Sequence, residues 1–130
     1  MKQQAPSLDQ WLREAKALPD APLCGMYLSH NGVVRQTARA KVRQGAEGTA
    51  PVSGMHFSFD RNKVELAIAA ARQMPGIYHV RVWLNEGELL PGDDIMLVLI
   101  GGDIRPHVVD CLQTLVGRIK NECVVEEEKY

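Results

Sequence analysis

Cysteine is sparse in this 130-residue chain, and its few copies are scattered. Cys24, Cys111 and Cys123 form no CxxC pair, a pattern of a reduced cytosolic protein rather than of a disulfide framework. An excess of one charge is also missing. Fifteen basic and 16 acidic residues leave a net charge of -1, so nothing global argues for nucleic acid or an acidic membrane. No apolar run approaches the roughly 20 residues of a membrane span. The opening MKQQAPSLDQ has no apolar h-region, so no signal peptide is indicated and a cytoplasmic location is expected. No internal repeat, Walker loop, Ser/His/Asp set or paired-carboxylate motif stands out. His30, His56, His79 and His107 lack metal-ligand spacing, so neither a metal nor a cofactor is called for.

What is present suffices for one core. The chain is 45% hydrophobic and short enough that residues 1–130 read as a single domain. Within residues 1–20, Ser7 with Gln10 three positions on has capping-box spacing. Leu8, Trp11, Leu12, Ala15 and Leu18 then fall on one helical face, and Pro19 ends it. Leu23 to Ser29 is strand-like, His30-Asn31-Gly32 is a turn signal, and Val33-Val34 resumes extended structure. Arg39, Lys41 and Arg43 alternate with Ala38, Ala40 and Val42, which in a strand puts three cations on one side. The Gly-containing stretch 44–51 reads as a flexible loop.

Val52 to Phe59 is a further strand. Asp60 then caps a helix to about Met74 with Val64, Ala67, Ile68, Ala71 and Met74 inward, stopped by Pro75-Gly76. Tyr78, Val80, Val82 and Leu84 alternate with His79, Arg81 and Trp83, as in a half-buried strand. Asn85-Glu86-Gly87 and Pro91-Gly92-Asp93 turn. Ile95 to Ile100 contains no polar residue and reads as a central strand buried on both faces. A last helix opens at Pro106 with Val108, Val109, Leu112, Leu115, Val116 and Ile119 as its stripe. The order of elements is that of a layered α+β domain.

Three basic positions stand out. Arg105 follows Gly101-Gly102 at a helix start, where free N–H groups and a guanidinium suit an anion. It reads equally as a surface ion pair with Asp103. Lys120 near the end of that helix either complements the dipole or, if desolvated, acts as an amine. The Arg39 to Arg43 strand either binds phosphate or is a charged edge.

Four ordered stretches resemble the MoaE family, the large catalytic subunit of molybdopterin synthase. They are GMYLSHNGVVR (Gly25 to Arg35), AAARQMPG (Ala69 to Gly76), GELLPGDDIMLVLIGGDIR (Gly87 to Arg105) and LVGRIK (Leu115 to Lys120). The resemblance implies an α/β-hammerhead-like fold with a mixed or antiparallel sheet and packed helices, and a homodimer. It also implies a small ubiquitin-like sulfur-carrier subunit (MoaD-like) ending in Gly-Gly. The carrier's C-terminal thiocarboxylate would supply sulfur to a pterin phosphate, cyclic pyranopterin monophosphate, in molybdenum cofactor biosynthesis. By this resemblance Lys120 matches the active-site lysine, and Lys129 its second lysine after a two-residue shift. Arg35 and Arg105 match substrate-binding arginines, with Arg39 a third phosphate candidate. Leu84, Asn85 and Ile104 depart from the family's usual residues, as does Glu127, which an ungapped match puts at the second lysine's place. The alternative is a catalytically degenerate binding module that keeps the dimer or carrier-binding interface.

Overall fold

The computed structural model of the chain describes residues 1–37 and 51–130. The expected basic strand at Arg39, Lys41 and Arg43 lies outside the described residues, as does the expected loop except Pro51. Helix α1 (Leu8–Lys16) is followed by strands β1 (Met26–Val33) and β2 (Gly54–Phe59) and helix α2 (Arg61–Arg72). Then come β3 (Ile77–Leu84), β4 (Gly87–Leu89), β5 (Asp94–Gly102), helix α3 (Arg105–Arg118), a π-helical turn (Ile119–Cys123) and β6 (Val124–Lys129). The strands form two antiparallel sheets, β1-β5-β3 and β4-β2-β6.

The apolar run behaves as its composition dictates. β5 is the central strand of the first sheet, and Ile95 to Ile100 are all at least 94% buried. Strand alternation splits it between two packing faces. Leu97 and Leu99 meet Trp11 and Ala15 of α1, while Met96, Val98 and Ile100 join the main core with α2 and α3. Each such side chain contributes roughly 1.5–3 kcal/mol of burial. Ser7 Oγ accepts from the Gln10 N–H, and Arg81 stacks its guanidinium 4.6 Å from the Trp11 ring, which pins α1 to the sheet. Asp60 caps α2 by accepting from the Lys63 N–H, as its spacing predicts.

Three local expectations are corrected. His30-Asn31-Gly32 is not a turn; β1 runs through it, in register with Val98, Leu97 and Met96 of β5. A buried β5 must pair its whole edge, and Asn31 Nδ2 adds bonds to Asp94 Oδ1 (3.0 Å) and Met96 O (3.2 Å). The register shifts only afterwards, between Gly32 and Val33. Tyr78 is exposed, not inward, because the β3–β5 pairing slips between Ile77 and His79 and so changes the side on which alternation starts. Leu18 lies beyond α1 and is exposed as well.

Candidate functional site

The stretch around Pro91 explains where Arg35 sits. Asp93 Oδ2 accepts from the Leu90 N–H (2.8 Å), its own N–H bonds Leu90 O (2.9 Å), and Gly92 takes a positive φ of 92° that suits glycine. The tight turn so formed grips Val34 from both sides, with Gly92 N–H to Val34 O at 2.7 Å and Val34 N–H to Asp93 O at 2.9 Å. Val34 is itself buried, so Arg35, the next residue, leaves the sheet from a fixed point. Its Nε donates to Thr37 O (3.1 Å).

Lys120 is fixed from the other side. It is in the π-helical turn that ends α3, between the buried anchors Ile119 and Cys123. π turns inside or at the ends of helices redirect a side chain that regular α geometry would send elsewhere. The chain then enters β6, pairing with β2 from Phe59↔Val124 to Gly54↔Lys129.

These two cations, distant in sequence, line one hollow where the two sheets meet. Its volume is about 40 Å³, and its other walls are Val33, Met55, Ile95, Glu126 and Glu128. It takes little more than one water, or the terminal atoms of an extended chain. The hollow is of mixed charge, because β6 alternation turns Glu126 and Glu128 toward it and Glu127 and Lys129 outward. The signal in the sequence for both glutamates is the period of two within the acidic run from Glu126 to Glu128.

The other expected site residues lie elsewhere. Lys129 bonds Glu88 Oε2 (2.8 Å) on the exposed face of the second sheet, where His56 Nδ1 meets Glu88 Oε1 (2.8 Å). Those two partners hold the Glu88 carboxyl below its usual range. Arg105 is exposed at the first turn of α3, roughly 20 Å from Lys120 at 1.5 Å of rise per residue. Arg35, Arg105 and Lys120 therefore do not converge within one chain. The expected Asp103–Arg105 pair gives way to Asp103 with His107 (2.8 Å), which holds the Asp103 carboxyl below its usual range. Arg39 lies outside the described residues. Among the described residues no three His, Cys, Asp or Glu side chains gather as a metal site, and no helix is long and apolar enough to cross a membrane.

Asn85, also unforeseen, is 1% exposed and fully bonded. Its Oδ1 accepts from Gln3 N–H (2.7 Å) and Glu86 N–H (2.9 Å), and its Nδ2 donates to Gln3 O (3.0 Å) and Asp94 O (2.8 Å). It ties the N-terminal segment across the β3–β4 corner.

Two antiparallel sheets, a central strand covered on both faces and a hollow lined by two cations and two carboxylates at the sheet junction define an α+β domain with a candidate anion site among its described residues. The chain belongs to the MoaE protein family, which it matches over residues 2–122. No curated sequence relative matches it. Among solved structures it is similar to the molybdopterin biosynthesis MoaE protein of Burkholderia ambifaria MC40-6, with a TM-score of 0.72 and 20% identity over 98% of this chain and 83% of that one. It is also similar to molybdopterin synthase from Staphylococcus aureus (TM-score 0.72, 15% identity, 98% and 88% covered). A third similar structure is a complex of subunits 1 and 2 of molybdopterin-converting factor from Helicobacter pylori 26695 (0.67, 15%, 98% and 81%). At these identities the structures establish the α+β fold.

Proposed function

We propose that the chain is the large subunit of a molybdopterin synthase. It would take sulfur from the C-terminal thiocarboxylate of a small ubiquitin-like carrier and deliver it to cyclic pyranopterin monophosphate. Membership of the MoaE family gives the role in molybdenum cofactor biosynthesis. The observation that carries the finer reading is the meeting of Arg35 and Lys120 in one hollow. Its small volume suits the last atoms of an extended Gly-Gly tail better than a whole pterin. In this reading Arg35 holds the anionic end by charge-assisted bonds, and Lys120 stands beside the acyl carbon. Lys120 stabilises charge there or acts as a nucleophilic amine.

The substrate's phosphate is assigned to Arg105 and Arg39. Arg105 opens the opposite end of α3 and meets the hollow's guest only from a second copy of the chain, so its role requires the homodimer. Lys129, already paired with Glu88, is the secondary lysine, and Lys120 is the one that acts. The proposed setting is the cytoplasm.

The test mixes purified protein, thiocarboxylated carrier and cyclic pyranopterin monophosphate, then assays molybdopterin. Product from wild type and none from Lys120→Ala is expected. No product from wild type beside a working synthase overturns the proposal and leaves a binding module in its place. Undiminished turnover by Lys120→Ala overturns the assignment of the lysine.

A further inference from the structure

The turn that places Arg35 is itself held from outside. Asp93 Oδ2, which accepts from the Leu90 N–H and closes that turn, also meets Lys2 Nζ at 2.7 Å. Lys2 belongs to the N-terminal segment that lies across the β3–β4 corner. Its neighbour Gln3 is tied there by its own backbone: Gln3 N–H donates to Asn85 Oδ1 (2.7 Å), and Gln3 O accepts from Asn85 Nδ2 (3.0 Å). Gly87 leaves room for the segment, with a φ of 95° and space in which a Cβ would stand 3.1 Å from Lys2 N. An exposed ion pair ordinarily contributes little, because two long side chains lose freedom to form it. Here less freedom is left to lose. The lysine's backbone is fixed through Gln3 and the buried Asn85, and the Asp93 carboxylate is fixed by the Leu90 N–H and only 25% exposed.

The bonds run on without a break to the hollow. Lys2 holds the Asp93 side chain, Asp93 O accepts from the Val34 N–H, and Gly92 N–H returns to Val34 O. The residue after Val34 is Arg35, a wall of the hollow. We infer that Lys2 is a positioning residue for Arg35: by anchoring the Asp93 carboxylate it keeps the Leu90–Asp93 turn closed on Val34, and so keeps Arg35 at the hollow. The Leu90 N–H first and Lys2 second hold the Asp93 carboxyl below its usual range, so both donors favour the charged form that closes the turn. The N-terminal segment thereby acts as a strap whose hold on the corner reaches a residue more than 30 positions away in sequence. The effect on binding rests on the proposed role of Arg35; the effect on the turn does not.

Amide hydrogen exchange on the full-length protein, read by NMR without carrier or substrate, compares wild type, Lys2→Met and Lys2→Arg. The reporters are the Val34 and Gly92 amides, which belong to the clamp. The control is the Asp103 N–H, bonded to Gly76 O (2.9 Å) at the opposite end of β5. Exchange reads the local opening of each bond. Loss of one partly exposed ionic contact predicts roughly three- to five-fold faster exchange at Val34 and Gly92 in Lys2→Met. Asp103 should be unmoved, and Lys2→Arg, which keeps a cation, should regain most of the protection. Unchanged exchange at Val34 and Gly92, an equal rise at Asp103, or no recovery in Lys2→Arg overturns the inference. A second arm measures affinity for a small ubiquitin-like carrier ending in Gly-Gly. Lys2→Met should weaken binding roughly three-fold beside a wild-type Arg35 and not at all in Arg35→Gln, because the lysine acts through that arginine. An equal loss in both backgrounds, or no loss in either, overturns the link to Arg35. If wild type binds no carrier, the proposed function fails, and the exchange rates still decide whether Lys2 holds the turn.

Discussion

Replacing Asn85 by alanine removes a side chain that is 1% exposed and makes four hydrogen bonds. Two of the four partners, Glu86 N–H and Asp94 O, belong to the β3–β4 corner and the start of β5 and cannot turn to water without opening the sheet. The other two belong to Gln3, in a surface segment that resolvates more easily. At about 1 kcal/mol for each internal bond and about half that for each bond to Gln3, the loss is about 3 kcal/mol. For a domain of 130 residues, an unfolding entropy near 2.1 cal/mol/K per residue converts this to a fall of about 11 °C in Tm. Urea unfolding should show the same loss with an unchanged m-value, because the surface exposed on unfolding is the same. Asn85→Asp sharpens the test. At neutral pH it faces two carbonyl oxygens with a carboxylate, so it should destabilise at least as much as alanine and recover partly in acid. A cost below about 1 kcal/mol for alanine, or full tolerance of aspartate at pH 7, would refute the view that this amide braces the corner.

Two glycine substitutions should move stability in opposite directions. A Cβ on Gly25 would stand 2.2 Å from the backbone oxygen of Asp103, so Gly25→Ala must part β1 from β5 and cost roughly 2 kcal/mol or more. Gly117 in α3 has open space around it, so Gly117→Ala should stabilise by roughly 0.5–1 kcal/mol; both are read by urea denaturation. Burial raises the Cys111 thiol to about 11. Above pH 9 the unfolded chain loses that proton while the folded chain keeps it, so stability should fall from pH 9 to 11, and Cys111→Ala should flatten that limb. His30 and His79 are depressed by burial, so the folded state resists their protonation. Stability should therefore decline as pH falls below about 6.5, and substituting both by glutamine should shift the decline to lower pH in thermal melts.

The parts of the fold legible in the sequence are those fixed by local chemistry. Ser7 and Asp60 announce two helices by capping, and the unbroken apolar run of β5 announces burial on both faces. His30-Asn31-Gly32 misleads because its turn propensity is local, whereas pairing with β5 is imposed by the fold. The site is only partly legible for the same reason. Arg35 and Lys120 stand out as cations, but their meeting depends on the Gly92-Asp93 clamp on Val34 and on a π-helical turn that no residue pattern marks. Arg105 is conspicuous by motif yet belongs to the other end of its helix. Glu126 and Glu128 are hidden in a run whose alternation matters more than its charge.

In the proposed function Arg35 and Lys120 together receive the anionic end of an extended tail. Calorimetric titration of a small ubiquitin-like carrier ending in Gly-Gly tests it most directly, with wild type, Arg35→Gln, Lys120→Met and a carrier lacking its last two glycines. Loss of a charge-assisted contact predicts at least about ten-fold weaker binding for each variant, and little further loss when either is combined with the shortened carrier. Unchanged affinity in Arg35→Gln and Lys120→Met, with wild type still binding the intact carrier, would contradict the account.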